Sequence, residues 1–462
     1  MTIDTSPDLR LLFNPSSVAL IGASLDEAKS GGRFLTRLTT TGYQGPVYPV
    51  NPREKELRGL KTYSTVLDIP EGVDLAIMAI PAPLVPQAMA ECARKGIKFV
   101  IVHTSGFREV GAGDLEAEMI RAARTGGTRI VGPNCMGVFS SEAKFCVMDG
   151  NFFDPVGTNV AFIGQSGTIC DNFLHMGHDR GLGIKQAVST GNEADLTAMD
   201  YLGYFADDPR VKVIASYMEG MVGGRKFMDL AAEVSRRKPI IVWKAGKTQA
   251  GARAILSHTG SLAVADRVCD AAFLQSGVTV AHDLEELCDF TVVFASPYLP
   301  RGRRIGILVD TGGGGVAAAD ACESVGLEVP PYPEATQARL REFLGGVIPP
   351  FSGITNPIDL VSPRYVDYVR LFQGCVEIMA EAVDALMVIT FHSLDDPDFF
   401  RRVEEARDRV QKPIFVLPAM PARELSNMKE YTRKGIPSFP FPHRAAKAIL
   451  AMSRYAQYLE GI

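Results

Sequence analysis

The stretch NVAFIGQSGTICDNFLHMGHDRGLG, residues 159–183, decides how the chain is read. It opens on an apolar, β-branched run, turns through glycine and serine, continues at helical spacing and closes on glycine. The same succession returns in RIGILVDTGGGGVAAADACESVGLE, residues 304–328. A weaker form stands near the start, where SVALIGAS (17–24) precedes GGRFLTRLTTTG (31–42). Strand, glycine turn and helix open a doubly wound α/β unit. Three such openings predict three α/β domains, with composition breaks near 145–158 and 297–303.

The rest of the chain fits that frame. Ser17–Ile21, Gly45–Val50, Val73–Ile80, Lys98–Thr104 and Thr128–Val131 read as short strands, separated by helical stretches such as Leu84–Lys95 and Asp114–Thr125. The second third gives strands NVAFIG, KQAVST, KVIASYME, PIIVWKA and VTVAH, and the last third RIGILVD, LEVPPY, ALMVITF, PIFVLP and PSFPF. Alternating strands and helices imply parallel sheets, whose ligands sit at the carboxyl ends of the strands.

Composition sets the class. At about 150 residues per domain, 462 residues make about three domains. With 53 acidic and 48 basic side chains the net charge is −5, which offers no general attraction to nucleic acid or an anionic membrane. A hydrophobic share of 46% with 22% charged residues excludes long disorder, a coiled coil and a fibrous chain. The longest apolar runs, of about ten residues, are too short to span a bilayer. The start MTIDTSPDLRLLF lacks the basic and apolar regions of a signal peptide. No two of the eight cysteines form a CxxC pair, so a reduced, cytoplasmic enzyme without a metal site is expected.

Four constellations carry candidate chemistry. The first is the rim of the first domain: Gly22, Ala23 and Ser24, then Asn51-Pro52-Arg53, then Ser105-Gly106. A small-residue turn lets backbone N–H groups approach a pyrophosphate. NAD would call for an acidic residue at the end of the second strand; Arg53 instead favours an added phosphate, that of NADP or the 3′-phosphate of coenzyme A. The second is Gly132-Pro133-Asn134-Cys135-Met136-Gly137, where Cys135 has no evident general base. The third is Gly164-Gln165-Ser166-Gly167-Thr168, a helix start suited to phosphate, with a counterpart in Thr311 and Gly312–Gly315. The fourth is Ser257-His258-Thr259-Gly260-Ser261, in the polar stretch Lys244–Ser261, which contains no strand and is expected to be a mobile loop. Glu219, closing the strand YME, is the best acidic partner for His258.

In order, NPSSVALIGAS, YPVNP, GPNCMG, GQSGT, YMEG, SHTGSLA, TGGGG and GITNPIDL resemble the nucleoside-diphosphate-forming acyl-CoA synthetases over about residues 10–460. The likeness is to the α subunit of ADP-forming acetate–CoA ligase and, more distantly, to succinyl-CoA synthetase α. Departures are Gly164 where serine is common, the all-glycine third loop after Asp310-Thr311, and Val264-Ala265 after SHTGSLA.

The resemblance implies a CoA-binding Rossmann-like domain over 1–148 and two flavodoxin-like domains over 149–300 and 301–462. His258 matches the phosphorylated histidine and Glu219 its supporting glutamate. Ser166, Gly167 and Thr168, with Gly313, Gly314 and Gly315, match the two phosphate-binding helix starts. CoA contacts fall on Gly22, Ser24, Asn51, Arg53, Ser105, Gly106, Asn134 and Cys135.

The implied reaction joins acyl-CoA and phosphate to free acid and CoA through an acyl phosphate and phosphohistidine. ATP or ADP with Mg2+ belongs to a separate ATP-grasp β subunit in an α2β2-type heteromer, because three α/β domains leave no room for that module here. The competing readings are an NADP-dependent Rossmann oxidoreductase and a non-catalytic CoA-binding module. Neither uses both phosphate loops and SHTGS.

Overall fold

The computed structural model describes residues 8–148, 158–221, 223–258, 266–294, 296–310, 312–349, 352–361, 368–391 and 397–461; at 158, 256–258, 266–268 and 397 only the backbone is described. The chain forms two compact units, Met1–His175 with Ile184–Leu284, and Met176–Gly183 with Glu285–Ile462.

The first unit holds two sheets. Strands β1 (Val18–Ile21), β2 (Val47–Val50), β5 (Leu75–Met78), β6 (Phe99–Val102) and β7 (Arg129–Val131) form a parallel sheet in the order β2-β1-β5-β6-β7. The short hairpin β3 (Glu56–Leu57) and β4 (Leu60–Lys61) stands beside it. All five expected strands are present, and β1, β5 and β6 are buried along their whole length, on both faces, as helical crossovers require. Helix Val85–Lys95 starts on Pro86 and stops on Gly96 at φ 80°, the left-handed conformation that glycine takes without strain. Helix Gly113–Arg124 has Asp114 and Glu116 in its first turn and Arg121 and Arg124 in its last, each favourable to its dipole.

The second sheet contains β8 (Gly137–Ser140), β9 (Phe145–Cys146), β10 (Thr158–Gly164), β11 (Gly183–Ser189), β12 (Val213–Met218), β13 (Ile240–Lys244) and β14 (Thr279–Ala281), in the order β14-β13-β12-β10-β11-β8-β9. Here the structure departs from the expected division at 148/149. Strand β8 runs antiparallel to β11, Gly137 opposite Ser189 and Ser140 opposite Gln186. The hairpin 137–146 thus completes the second sheet. One hydrophobic core, with Phe13, Phe34, Leu75, Val138, Phe145, Ile163 and Phe205, serves both sheets.

The second unit is built on β15 (Ile305–Val309), β16 (Ile358–Asp359), β17 (Ala385–Thr390) and β18 (Ile414–Pro418), in the order β16-β15-β17-β18. Two expected strands are corrected. LEVPPY contributes only a single bridge, Arg304 to Glu328, and the edge place beside β15 goes to Ile358–Asp359. PSFPF contributes only the bridge Val416 to Ser438. Pro330 and Pro331 in the first, and Pro437 and Pro440 in the second, lack the N–H donors that a ladder needs.

Leaving out the hairpins, all three sheets share one winding: the first strand is central, the second lies outside it, and the third lies on its other side. That puts a topological switch point at β1/β5, β10/β12 and β15/β17, where ligand crevices form.

Candidate active site

The rim of the first sheet is a continuous seam of loops. Asn51 Nδ2 donates to the Ala23 carbonyl at 2.9 Å, joining the loops after β2 and β1. Its Oδ1 accepts from the Arg53 amide at 2.9 Å and turns that exposed arginine outward. Gly22 has φ 91°, and a Cβ there would lie 2.4 Å from the Ala79 carbonyl oxygen, so the switch point tolerates only glycine. Thr104 Oγ1 donates to Ile80 O at 2.7 Å, and the Asn134 amide donates to Thr104 O at 2.9 Å. Gly22, Ser24, Asn51, Arg53, Ser105, Gly106 and Asn134 therefore all stand on one rim. With no carboxylate at the end of β2 and an exposed guanidinium there, the donor set suits a phosphorylated ligand.

Cys135 is corrected. Its side chain is 3% exposed and packs in the core, with Sγ 3.4 Å from Val102 O and 3.6 Å from Val131 O. Burial pushes the thiol up to about 12, so it is neither a thiolate nor a surface for CoA. The turn's carbonyl is the useful part: it lies 2.7 Å from Nδ1 of His103, whose Nε2 meets Ser30 Oγ at 3.0 Å. His103 ties the fifth loop to the start of the helix Ser30–Thr40. Burial lowers its pKa and keeps the ring neutral, as one donor and one acceptor require.

The second sheet carries the helix start that the sequence marks as suited to phosphate. Helix Gly167–Asp179 begins directly after β10, with no acidic residue in its first turn. Its first amides are unspent and its dipole favours an anion. A Cβ on Gly167 would lie 2.1 Å from Met136 Cγ, so the helix start is pressed against the GPNCMG turn of the rim. Ser166 is half-buried and Thr168 exposed at this start. Gln165 Oε1 accepts from the Glu219 and Gly220 amides at 2.5 and 2.9 Å, while Nε2 donates to Gly220 O at 3.2 Å. Glu219 is 5% exposed, and its Oε1 accepts from the Tyr217 hydroxyl at 3.3 Å. Burial raises the Tyr217 pKa, so that hydroxyl stays a donor. Lys244, also buried, donates to Glu219 O at 2.6 Å. The sequence named Glu219 and the cradle but missed Gln165, the side chain that joins them.

The expected loop Lys244–Ser261 is corrected over most of its described length. Residues Gln249–His258 form a helix. Thr248 Oγ1 accepts from the Gly251 amide at 3.0 Å, an N-cap, and Ile255 is 6% exposed, packed on the Gly246 turn. Among its described side chains, the Thr248 cap and the buried Ile255 anchor this polar segment of helix-forming residues. His258 is the last residue of this helix; its side chain and residues 259–265 lie outside the described residues. The helix packs against the turn Arg108–Val110, which follows Gly106 on the rim.

In the second unit, Thr311 lies outside the described residues, and Gly312 opens the helix Gly312–Ser324. A Cβ on Gly315 would meet Val309 at 3.2 Å, whereas one on Gly313 would meet nothing within 4 Å. Gly315 is needed for packing, and Gly313 leaves open space at the helix start. Gly314 lies between them, half-buried. Asp310 Oδ2 accepts from Thr390 Oγ1 at 2.8 Å and from the Phe391 amide at 2.9 Å.

A rim suited to a phosphorylated ligand, a helix start open to an anion and a buried glutamate at the neighbouring strand end stand together on a doubly wound scaffold. Comparison with known proteins supplies the class, the acid–thiol ligases. Residues 16–141 match the CoA binding domain family, and 157–294 match the succinyl-CoA ligase like flavodoxin domain family. The alpha subunit of acetate–CoA ligase [ADP-forming] II of Pyrococcus furiosus is 37% identical, covering 98% of this chain and 99% of that one. Acetate–CoA ligase [ADP-forming] I of Archaeoglobus fulgidus is 38% identical over 96% of this chain, which spans 63% of that longer protein. The dinucleotide forming acetyl-coenzyme A synthetase 1 of Ca. Korarchaeum cryptofilum, solved with phosphate and ADP, superposes with TM-score 0.85 at 35% identity over 98% of both chains. The chain belongs to the NDP-forming acyl-CoA synthetases, alongside the alpha subunits of ADP-forming acetate–CoA ligases. Among the described residues, no helix is long and apolar enough to cross a membrane.

Proposed function

We propose that this chain is the α-type subunit of a two-component ligase that interconverts an acyl-CoA and phosphate with a small carboxylic acid and CoA. In this reading the rim residues Gly22, Ser24, Asn51, Arg53, Ser105, Gly106 and Asn134 hold CoA. Ser166, Gly167 and Thr168 present backbone and hydroxyl donors to the acyl phosphate and the transferring phosphoryl group. His258 carries that group, and Glu219 orients the neutral imidazole through its second ring nitrogen. Phosphoryl transfer needs placement and fixed dipoles more than covalent chemistry, and a helix start supplies both. Gly313, Gly314 and Gly315 offer a second helix start for the same group.

The observation that carries this reading is the pairing of Gln165 with Glu219. It seats a buried carboxylate at the strand end beside a phosphate-type helix start, in the unit whose helix ends at His258. Phosphohistidine must then pass its group to ADP with Mg2+ on a separate ATP-grasp subunit, in an α2β2-type assembly. A cytoplasmic location suits the eight cysteines, all of them buried. Labelling with 32P-acetyl phosphate tests the carrier. Wild-type protein should gain an acid-labile, base-stable label, His258→Ala none, and Glu219→Gln a slow one. Full labelling of His258→Ala would place the carrier elsewhere.

A further inference from the structure

The turn after β11 is stitched to both halves of the proposed site. Thr190 donates its amide to Gly164 O at 2.9 Å, at the strand end that begins the phosphate cradle. Four residues on, the chain is bound to the opposite rim. Ala194 and Leu196 donate to Gly132 O and Ile130 O at 2.9 and 3.2 Å, and Asp195 accepts from Arg129 Nε at 2.8 Å. Between them, Asn192 is 1% exposed, with its backbone N–H and both side-chain polar atoms engaged. Its amide donates to Pro133 O at 2.9 Å, its Oδ1 accepts from Asn134 Nδ2 at 3.4 Å, and its Nδ2 donates to Glu109 Oε2 at 2.6 Å and Glu116 Oε2 at 3.3 Å.

Glu109 passes this restraint on. Its other oxygen accepts from the amides of Gly106 at 2.6 Å and Phe107 at 3.2 Å. Burial alone would raise that carboxyl, yet the Gly106 and Asn192 donors hold it below its ordinary value. A Cβ on Gly191 would lie 2.2 Å from Pro133 O, so the turn has no slack against the rim.

We propose that Asn192 is a positioning residue that keeps the Asn134 and Gly106 loops of the CoA rim in register with the Gly164–Gly167 phosphate cradle. It touches no reacting atom. Its effect belongs to the step that needs both halves together, the exchange of phosphate with the thioester. It does not belong to the step that needs the cradle alone, phosphorylation of His258 by acyl phosphate. The inference rests on the proposed function above.

The test compares two labelling routes into the same protein: 32P-phosphate with acetyl-CoA, and 32P-acetyl phosphate. Asn192→Ala should lose about tenfold or more of the acetyl-CoA route, the scale of one charge-assisted hydrogen bond, and keep the acetyl phosphate route within about twofold. Asn192→Asp sets a third carboxyl beside Glu109 and Glu116; its acetyl-CoA route should recover partly as the pH is lowered, unlike that of wild type. Glu109→Gln, near-isosteric, reads the same coupling if either variant fails to fold, and should show the same route-selective loss. Equal losses on both routes in the folded variants, or no loss on either, overturns the proposal. If wild type labels from neither donor, the phosphohistidine reading fails first, independently of Asn192.

Discussion

Gln165 and Glu219 meet across the switch point of the second sheet, where the Gln165 side chain accepts the Glu219 amide at 2.5 Å. The third sheet repeats the relationship at the same offset. Gly164 pairs with Tyr217 and Val309 with Ile389, and the residue after the first strand reaches the amide two beyond its partner's register mate. There the pair is Asp310 and Phe391, at 2.9 Å. A polar side chain after the first strand braces the strand end that adjoins each helix start.

Removing that brace should detach Glu219 from the cradle. Gln165→Ala strands two amides and a carbonyl, and should lower stability by about 1–3 kcal/mol in urea unfolding. His258 labelling by acetyl phosphate should slow together with it. Undiminished labelling would mean that Glu219 is positioned without Gln165.

Close approach makes a second prediction. A Cβ on Gly31 would lie 1.9 Å from Gly22 O, a backbone atom with no room to retreat. Gly31→Ala should lower the melting temperature, by a cost at or above the about 1–3 kcal/mol of ordinary overpacking, and weaken CoA binding by calorimetry. Gly313→Ala, with open space around its Cβ, should melt like wild type. A normal melting temperature and CoA affinity for Gly31→Ala would refute the packing argument.

The buried Cys135 thiol should be inert. With its pKa pushed up to about 12, it should resist iodoacetamide at pH 8 in native protein and react only on unfolding, as peptide mapping can show. Cys135→Ala should leave acyl-CoA turnover within a fewfold of wild type. Rapid native alkylation, or loss of turnover in a folded variant, would restore the thiol to the site.

Far from the site, Lys185 Nζ lies 2.7 Å from Asp208, and the lysine side chain is 3% exposed. Burial raises the Asp208 carboxyl, but Lys185 and Arg210 outweigh it and bring it to about 2. A lowered carboxyl contributes stability above its unfolded value of 3.8, and that contribution fades as pH falls toward 2. Asp208→Asn leaves a buried ammonium and should cost about 3–5 kcal/mol at pH 7. The gap to wild type should close in acid. A gap that is constant from pH 7 to pH 2 would exclude the ion pair as its cause.

Much of this was legible in the sequence because it depends on local pattern. Val18–Ile21, Leu75–Met78 and Phe99–Val102 stand inside their expected strands, since apolar runs between turns need no tertiary partner to be recognised. The helix start at Ser166 and Gly167 and the strand-end position of Glu219 were visible for the same reason. What escaped depends on contacts distant in sequence. Gln165, Glu109 and Asn192 look like ordinary polar residues until chain segments about 50–80 residues away supply their partners. The helix ending at His258 escaped because its one cap and one buried isoleucine are weak signals among small polar residues. Cys135 was placed on the rim because its neighbours are there; the direction of a side chain within a turn is not written in spacing.

The hairpin that crosses from the first sheet to the second has a consequence for inheritance. A gene break between residues 137 and 146 would remove the edge ladder of β11 and leave its N–H and C=O groups bare, an invitation to aggregation. A cut between Phe294 and Ile305 would spare every ladder but divide the second unit, to which the helix ending at Phe294 belongs from Glu285 on, so an unbroken sheet is not by itself a safe place for fusion or fission.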